Sequence, residues 1–172
     1  YALFGHSFGG LAVIAWAHRH PERVSRLITQ SPLVEVGFPI PRWKEAVAWT
    51  VGHCLPFVTM PMDIDFTQLC RNAAVIKAYR KDPLVHHQMS FRTYHATLRT
   101  RDEILAKAHE LRVPTLLLCG EQDRIISVPT AFRWFERLTC EKHSIVFPGA
   151  YHELHNDGLL ETVARRIAEW VG

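Results

Sequence analysis

The sequence predicts an α/β fold: about four parallel strands with flanking helices, interrupted by a helical cap insertion. Three observations predict it. Short apolar runs alternate with amphipathic stretches, the pattern of βα units feeding a parallel sheet. The run Thr115-Leu116-Leu117-Leu118-Cys119 has no polar face, as expected of a strand buried on both sides. Between the alternating regions, residues 35–105 carry Pro39, Pro41, Pro56, Pro61 and Pro83 and no convincing strand. The division expected is therefore a core from 1–34 and 106–172 with a cap from 35–105.

Taken in order, Tyr1-Ala2-Leu3-Phe4 reads as the end of a buried strand. Residues 8–20, rich in Ala, Leu and Ile, form a helix that stops before Pro21. Residues 24–29 have strand composition and run into the turn signal Gln30-Ser31-Pro32. In the cap, 42–55 can form one helix, with Trp43, Val47, Val51 and Cys54 along a stripe, and 66–81 a second. Residues 114–119 form the next core strand, bounded by Gly120. A helix over 128–138 follows, with Pro129 tolerated in its first turn. Residues 143–147 are the last strand. Asn156 or Asp157 caps a final amphipathic helix through Val171, with Leu159, Leu160, Val163, Ile167 and Trp170 at helical spacing.

A chain of 172 residues with 48% hydrophobic and 22% charged residues can bury a real core and is not disordered. Lys and Arg number 20 against 17 Asp and Glu. That excess of +3 is scattered, its densest cluster being Arg99-Thr100-Arg101, so nucleic acid is not an expected partner. Cys54, Cys70, Cys119 and Cys140 form no C-x-x-C pair, which argues against a zinc ribbon or a disulfide framework. Reduced thiols fit a protein that is cytoplasmic or peripheral to a membrane. No apolar run approaches the ~20 residues of a membrane span.

The chemistry begins at Gly5-His6-Ser7-Phe8-Gly9-Gly10. G-x-S-x-G between an apolar run and a helix marks a nucleophile elbow, a sharp turn that exposes one serine hydroxyl above a sheet. Gly5 and Gly9 are expected to remove side chains that would clash in the turn. The Phe8 N–H, at the helix start, can face a developing oxyanion. A serine needs a base to take its proton. Asp123 follows the strand at 114–119 and His152 the strand at 143–147, so Ser7, Asp123 and His152 lie at the carboxyl ends of three strands, in the chain order such a triad requires. Glu121 rivals Asp123, but the longer reach of Asp123 brings it over the histidine. His155 rivals His152 but lies towards the last helix, where a surface or supporting place is expected. His152-Glu153-Leu154-His155 is not H-E-x-x-H, and no metal or cofactor is expected. The remaining histidines, from His18 to His143, have no catalytic context.

These features resemble the α/β-hydrolase superfamily, and within it the monoacylglycerol lipase/lysophospholipase group of serine aminopeptidase S33 type. The resemblance rests on the elbow, Ser31-Pro32-Leu33, Tyr79-Arg80-Lys81-Asp82-Pro83-Leu84-Val85, Val113-Pro114-Thr115-Leu116-Leu117-Leu118, Gly120-Glu121-Gln122-Asp123-Arg124 and Gly149-Ala150-Tyr151-His152-Glu153-Leu154. It implies a Ser7, Asp123, His152 triad and a small lipid ester with one acyl chain as substrate. In that family an elbow sits mid-sheet, and the second oxyanion donor comes from a loop upstream of it. The place of the elbow at residue 7 thus predicts strands before it, and predicts that residues 1–172 alone are inactive and poorly soluble. Trp43, Trp49, Phe57, Val58 and Met60 are expected to line an acyl tunnel, face a membrane surface or simply pack the cap. Serine at the elbow argues against epoxide hydrolase and dehalogenase chemistry, which need a carboxylate there. Peptidase, thioesterase and acyltransferase activities use the same triad.

Overall fold

A computed structural model of the chain describes residues 1–39, 41, 48, 50–52, 55, 57–62 and 64–172. Strand β1 (Ala2–His6) leads into helix α1 (Phe8–Arg19), and β2 (Arg26–Gln30) returns alongside it. Much later come β5 (Thr115–Gly120), α4 (Val128–Glu136), β6 (Lys142–Phe147) and α5 (Leu160–Val171). The four strands form one parallel sheet in the order β1-β2-β5-β6. The expected α/β architecture is present, with β1 at one edge.

The core follows from strand alternation, which sends successive side chains to opposite faces. Leu27, Leu117 and Cys119 face α1, α4 and the end of the helix at Phe91–Ala106, meeting Leu11, Ile14, Trp134 and Ile104. Ile28, Leu116 and Leu118 face the other way, against Phe147, Leu154 and Val163, with Ile167 and Trp170 of α5 partly buried beside them. Every residue of β5 is buried, which explains its unbroken apolar run.

The cap differs from expectation in three places. Residues 59–61 and 88–90 form a two-stranded antiparallel ribbon, β3 (Thr59–Pro61) and β4 (Gln88–Ser90), where no strand was expected. The helix expected over 66–81 is cut to α2 (Ala73–Lys81). Asn72 caps it by accepting from the Ala74 N–H at 3.0 Å, while Asp65 caps only a single 3-10 turn at Phe66–Gln68. The helix expected over 42–55, with Trp43, Val47 and Cys54, lies largely outside the described residues, as does Trp49; residues 48 and 50–52 are helical. Helix α3 (Phe91–Ala106), capped by Ser90, closes the region, and its Ile104 already belongs to the main core.

Two helix ends also differ. α4 stops at Glu136, short of Leu138, and the Lys142 ammonium donates to the carbonyls of Phe135 and Glu136 at its end, at 3.0 and 2.7 Å, and to that of Leu138 just beyond, at 2.8 Å. α5 begins at Leu160 and neither Asn156 nor Asp157 caps it. The buried Asp157 carboxylate instead accepts from the Arg71 N–H at 2.7 Å, the Arg71 Nε at 3.0 Å and the Tyr151 N–H at 3.0 Å. It thereby ties the cap to the loop after β6. Burial pushes this carboxyl up, but the bonds from Arg71 and Tyr151 outweigh burial and hold it below its ordinary value. The cap also docks through Ile64, Phe66, Leu69 and Tyr79 onto Ile125, Ile126 and Ala131. Among the described residues, no helix is long and apolar enough to cross a membrane.

Close backbone approaches depend on particular glycines. A Cβ on Gly120 would overlap the carbonyl oxygens of Tyr151 and, at 2.5 Å, Ala150. A Cβ on Gly5 would overlap the Val13 side chain and, at 2.5 Å, the Gly9 carbonyl oxygen. Gly9 departs from expectation, since a Cβ there meets nothing within 4 Å. The second tight contact of the turn is at Gly10, 2.8 Å from the Pro32 Cα.

Urea unfolding should accordingly show Gly5→Ala and Gly120→Ala destabilised by more than about 2 kcal/mol. Gly9→Ala should remain within about 1 kcal/mol of the parent, helped by the better helix propensity of alanine. The Asp157 contact, being that of a depressed carboxyl, contributes fully at neutral pH and is lost as pH falls through its folded-state value. Asp157→Asn should therefore lower the melting temperature at neutral pH and flatten its decline on acidification.

Candidate active site

Sharp turns at the carboxyl ends of β1, β2, β5 and β6 build the site. At the first, Ser7 has φ 53 and ψ −120, a backbone that a side-chain-bearing residue adopts only under constraint. The constraint is visible. The Ser7 N–H donates to the Gln30 carbonyl at 3.0 Å, and the Ser7 carbonyl accepts from the Leu33 and Leu11 N–H groups at 2.9 and 3.2 Å. Gly5 permits the turn, and the packed face of α1 holds its far side. Phe8 is the first residue of α1, so its N–H has no acceptor within the helix.

At the ends of β5 and β6, the Glu121 N–H donates to the Phe147 carbonyl at 3.0 Å and the Gln122 N–H to the Ala150 carbonyl at 2.9 Å. These bonds fold the two turns onto each other across Gly120. They bring Asp123 and His152 together with Nδ1 to Oδ2 at 2.8 Å, and both side chains are almost wholly buried. The other carboxylate oxygen of Asp123 accepts from the Ile125 and Ile126 N–H groups at 2.9 and 3.2 Å. A carboxylate so placed can hold an imidazole in one tautomer and stabilise its protonated form.

The rival acid is separated from this pair. Glu121 is exposed and accepts from the Gly149 N–H at 2.9 Å, steadying the turn after β6. His155 Nδ1 lies 3.4 Å from Gln30 Nε2 rather than on Asp123. Among the described residues no hydrogen bond joins the Ser7 hydroxyl to His152. His6, the residue before Ser7 in the chain, has its ring centroid 4.7 Å from that of His152. Burial, followed by the neighbouring His152, pushes the His6 imidazole down to about 4, so it is neutral at physiological pH.

Several neighbours were not singled out in the sequence. His6 and Gln30 carried a readable signal, a histidine inside the elbow and an amide ending an apolar strand. Glu153 also joins the site's surroundings. It is buried, and it accepts from the Tyr79 hydroxyl and from Asn156 Nδ2, each at 2.7 Å, while its N–H donates to the Leu69 carbonyl at 2.8 Å. Burial, then this bond to the Glu153 carboxylate, pushes the Tyr79 phenol up. Tyr79 lies in a segment the resemblance had marked, but its partner could not be read without the fold.

Comparisons with known proteins agree with this architecture. Residues 1–158 match the family described as serine aminopeptidase, S33. The monoacylglycerol lipase of Mycolicibacterium smegmatis is 29% identical over 171 residues, covering 98% of this chain and 61% of that protein. Lysophospholipase L2 of Escherichia coli is 24% identical, covering 88% of this chain and 51% of that protein. The crystal structure of Paleococcus ferrophilus monoacylglycerol lipase superposes with a TM-score of 0.92 at 33% identity, covering 98% of this chain and 66% of that one. The chain thus spans about half to two-thirds of the length of these relatives. With the family match running through almost its whole length, the chain belongs to the serine aminopeptidase S33 family, an α/β-hydrolase of the monoacylglycerol lipase and lysophospholipase type.

Proposed function

We propose that this chain carries the catalytic machinery of a serine carboxylic-ester hydrolase acting on single-acyl lipids, monoacylglycerol or lysophospholipid. The observation that carries the reading is the conjunction of the φ 53 turn at Ser7 with the buried Asp123–His152 pair on the same edge of one sheet. In this reading Ser7 Oγ attacks the ester carbonyl and His152 Nε2 accepts its proton. Asp123 holds the imidazole and stabilises its charged form. The Phe8 N–H stabilises the oxyanion. The protonated His152 then gives its proton to the departing alcohol. Water, deprotonated by His152, finally releases the fatty acid from the acyl-enzyme and regenerates Ser7.

The names of the mycobacterial and bacterial relatives support a lipid ester as substrate. Leu55, Phe57, Val58 and Leu84 are exposed on the cap, and they offer an apolar surface through which it could touch lipid. A second reading is favoured by β1, the edge strand of the sheet among the described residues, with Phe4 49% exposed. An uncovered strand edge pairs readily with other chains, so residues 1–172 by themselves would associate, and with Phe8 as the one oxyanion donor assigned among them they would be catalytically incompetent.

A fluorophosphonate probe distinguishes the two. The protein carrying these residues should be labelled, and Ser7→Ala should abolish the labelling. Absence of labelling in the parent, or labelling that survives Ser7→Ala, overturns the hydrolase reading. Ser7-dependent ester hydrolysis by residues 1–172 alone overturns the second. Asp123→Asn should keep the fold while lowering kcat by about 10⁴, since the imidazole then rests in the wrong tautomer. Relative rates on monoacylglycerol, lysophospholipid, acyl-CoA and aminoacyl substrates report the substrate class.

A further inference from the structure

Gln30 ends β2, opposite His6 of β1 in the parallel register, and no part of it reaches solvent. Its main chain already serves the elbow, since its carbonyl receives the Ser7 N–H at 3.0 Å. Its side chain does something separate. The carboxamide nitrogen lies 3.2 Å from His6 Nδ1 and 3.4 Å from His155 Nδ1; with Nδ1 unprotonated His6 accepts from the carboxamide, and in the other tautomer Nδ1 donates to the Gln30 carbonyl, also 3.2 Å away. The His6 ring sits 4.7 Å from the ring of His152, tilted by 50°, and 5.7 Å from that of His155, edge-on at 90°. One buried amide thus tethers the ring that backs the catalytic-site imidazole.

The tether carries a stability penalty. Gln30 Oε1 is buried with no hydrogen-bond partner, and so is the neighbouring Ser31 Oγ. A buried amide oxygen without a partner destabilises a fold, and an apolar side chain of the same length would avoid that cost. Leu27 and Ile28 of β2 meet the apolar core, and the buried Thr29 hydroxyl donates to the Leu116 carbonyl, so Gln30 is the residue of this strand with a buried polar atom left unpartnered.

We infer that Gln30 is a positioning residue: through His6 it holds the His152 imidazole in the orientation that Ser7 needs. The inference rests on the hydrolase reading for its kinetic consequence, but its structural consequence stands apart from that reading. Gln30 touches neither Ser7 Oγ nor His152, so its loss should act on the chemical step rather than on substrate binding.

The test uses the parent protein, Gln30→Met, His6→Phe and the double variant, with 4-nitrophenyl butyrate as the probe ester. Gln30→Met should melt near the parent, because removing the unpartnered oxygen offsets the loss of the carboxamide contacts to His6 and His155. Its kcat should fall about tenfold with KM within about twofold. His6→Phe keeps a ring but loses the tether, and should show a similar loss. The double variant should be no worse than the weaker single one, because both act along one path. The low-field proton resonance of the His152 Nδ1–H, which reports its bond to Asp123, should broaden or exchange faster in Gln30→Met.

Unchanged kcat together with an unchanged His152 resonance in Gln30→Met overturns the inference, and so do losses that multiply in the double variant. If Gln30→Met fails to fold, His6→Phe alone decides by the same kinetic and spectroscopic readouts. If the parent neither hydrolyses the ester nor is labelled at Ser7, the hydrolase reading fails. The His152 resonance then still decides the role of Gln30.

Discussion

At Gly120 the backbone of β5 meets the turn that follows β6 with no side chain between them, and the site grows outward from that contact. The Glu121 and Gln122 N–H groups close onto the Phe147 and Ala150 carbonyls, so the two turns become one unit. Asp123 is then close enough for His152, and its second oxygen is anchored by the Ile125 and Ile126 N–H groups. Pairing a buried carboxylate with three donors meets the condition under which such a charge can leave solvent. The completely buried β5 beneath it makes the platform rigid, since neither face of that strand can move without opening a core.

The opposite half of the site stores strain. Among the described residues, Ser7 and Ser31 are the non-glycine residues with positive φ, at 53 and 43, and they follow the ends of adjacent strands. Such conformations cost on the order of 1–3 kcal/mol each and persist only where the surroundings over-determine them. Here the determinants are main-chain bonds from Ser7 to Gln30 and Leu33, the bond from the Ser31 N–H to the Leu118 carbonyl at 2.8 Å, and α1 pressed against the sheet through Leu11 and Ile14. Backbone constraint aims the serine, and side-chain constraint aims the histidine.

The cap enters this arrangement through the loop that carries His152. Tyr79 binds Glu153 directly after the histidine, and Arg71 binds Asp157 four residues further on. The loop is thus held from below by β5 and from above by the cap. These contacts join segments more than seventy residues apart in the chain, so a shift of the cap would be felt at the imidazole.

The sequence by itself determined the elements whose cause is local. Apolar runs placed the four core strands within a residue or two, and the glycine-serine elbow with Asp123 and His152 after later strands picked out the residues that share one sheet edge. It misjudged positions whose role depends on distant partners. Asp157 looked like a helix cap because an acid before an amphipathic stretch commonly is one, but a charged Arg71 offered stronger bonds. Gly9 was expected to matter alongside Gly5, although of the three elbow glycines only Gly5 and Gly10 face another backbone. The ribbon of β3 and β4 was invisible because three-residue strands, one of them ending in Pro61, have no period to read. Tertiary structure alone decided that His6, Gln30 and His155 gather beside His152, because a hydrogen bond between side chains depends on the approach of whole strands and leaves no spacing in the chain.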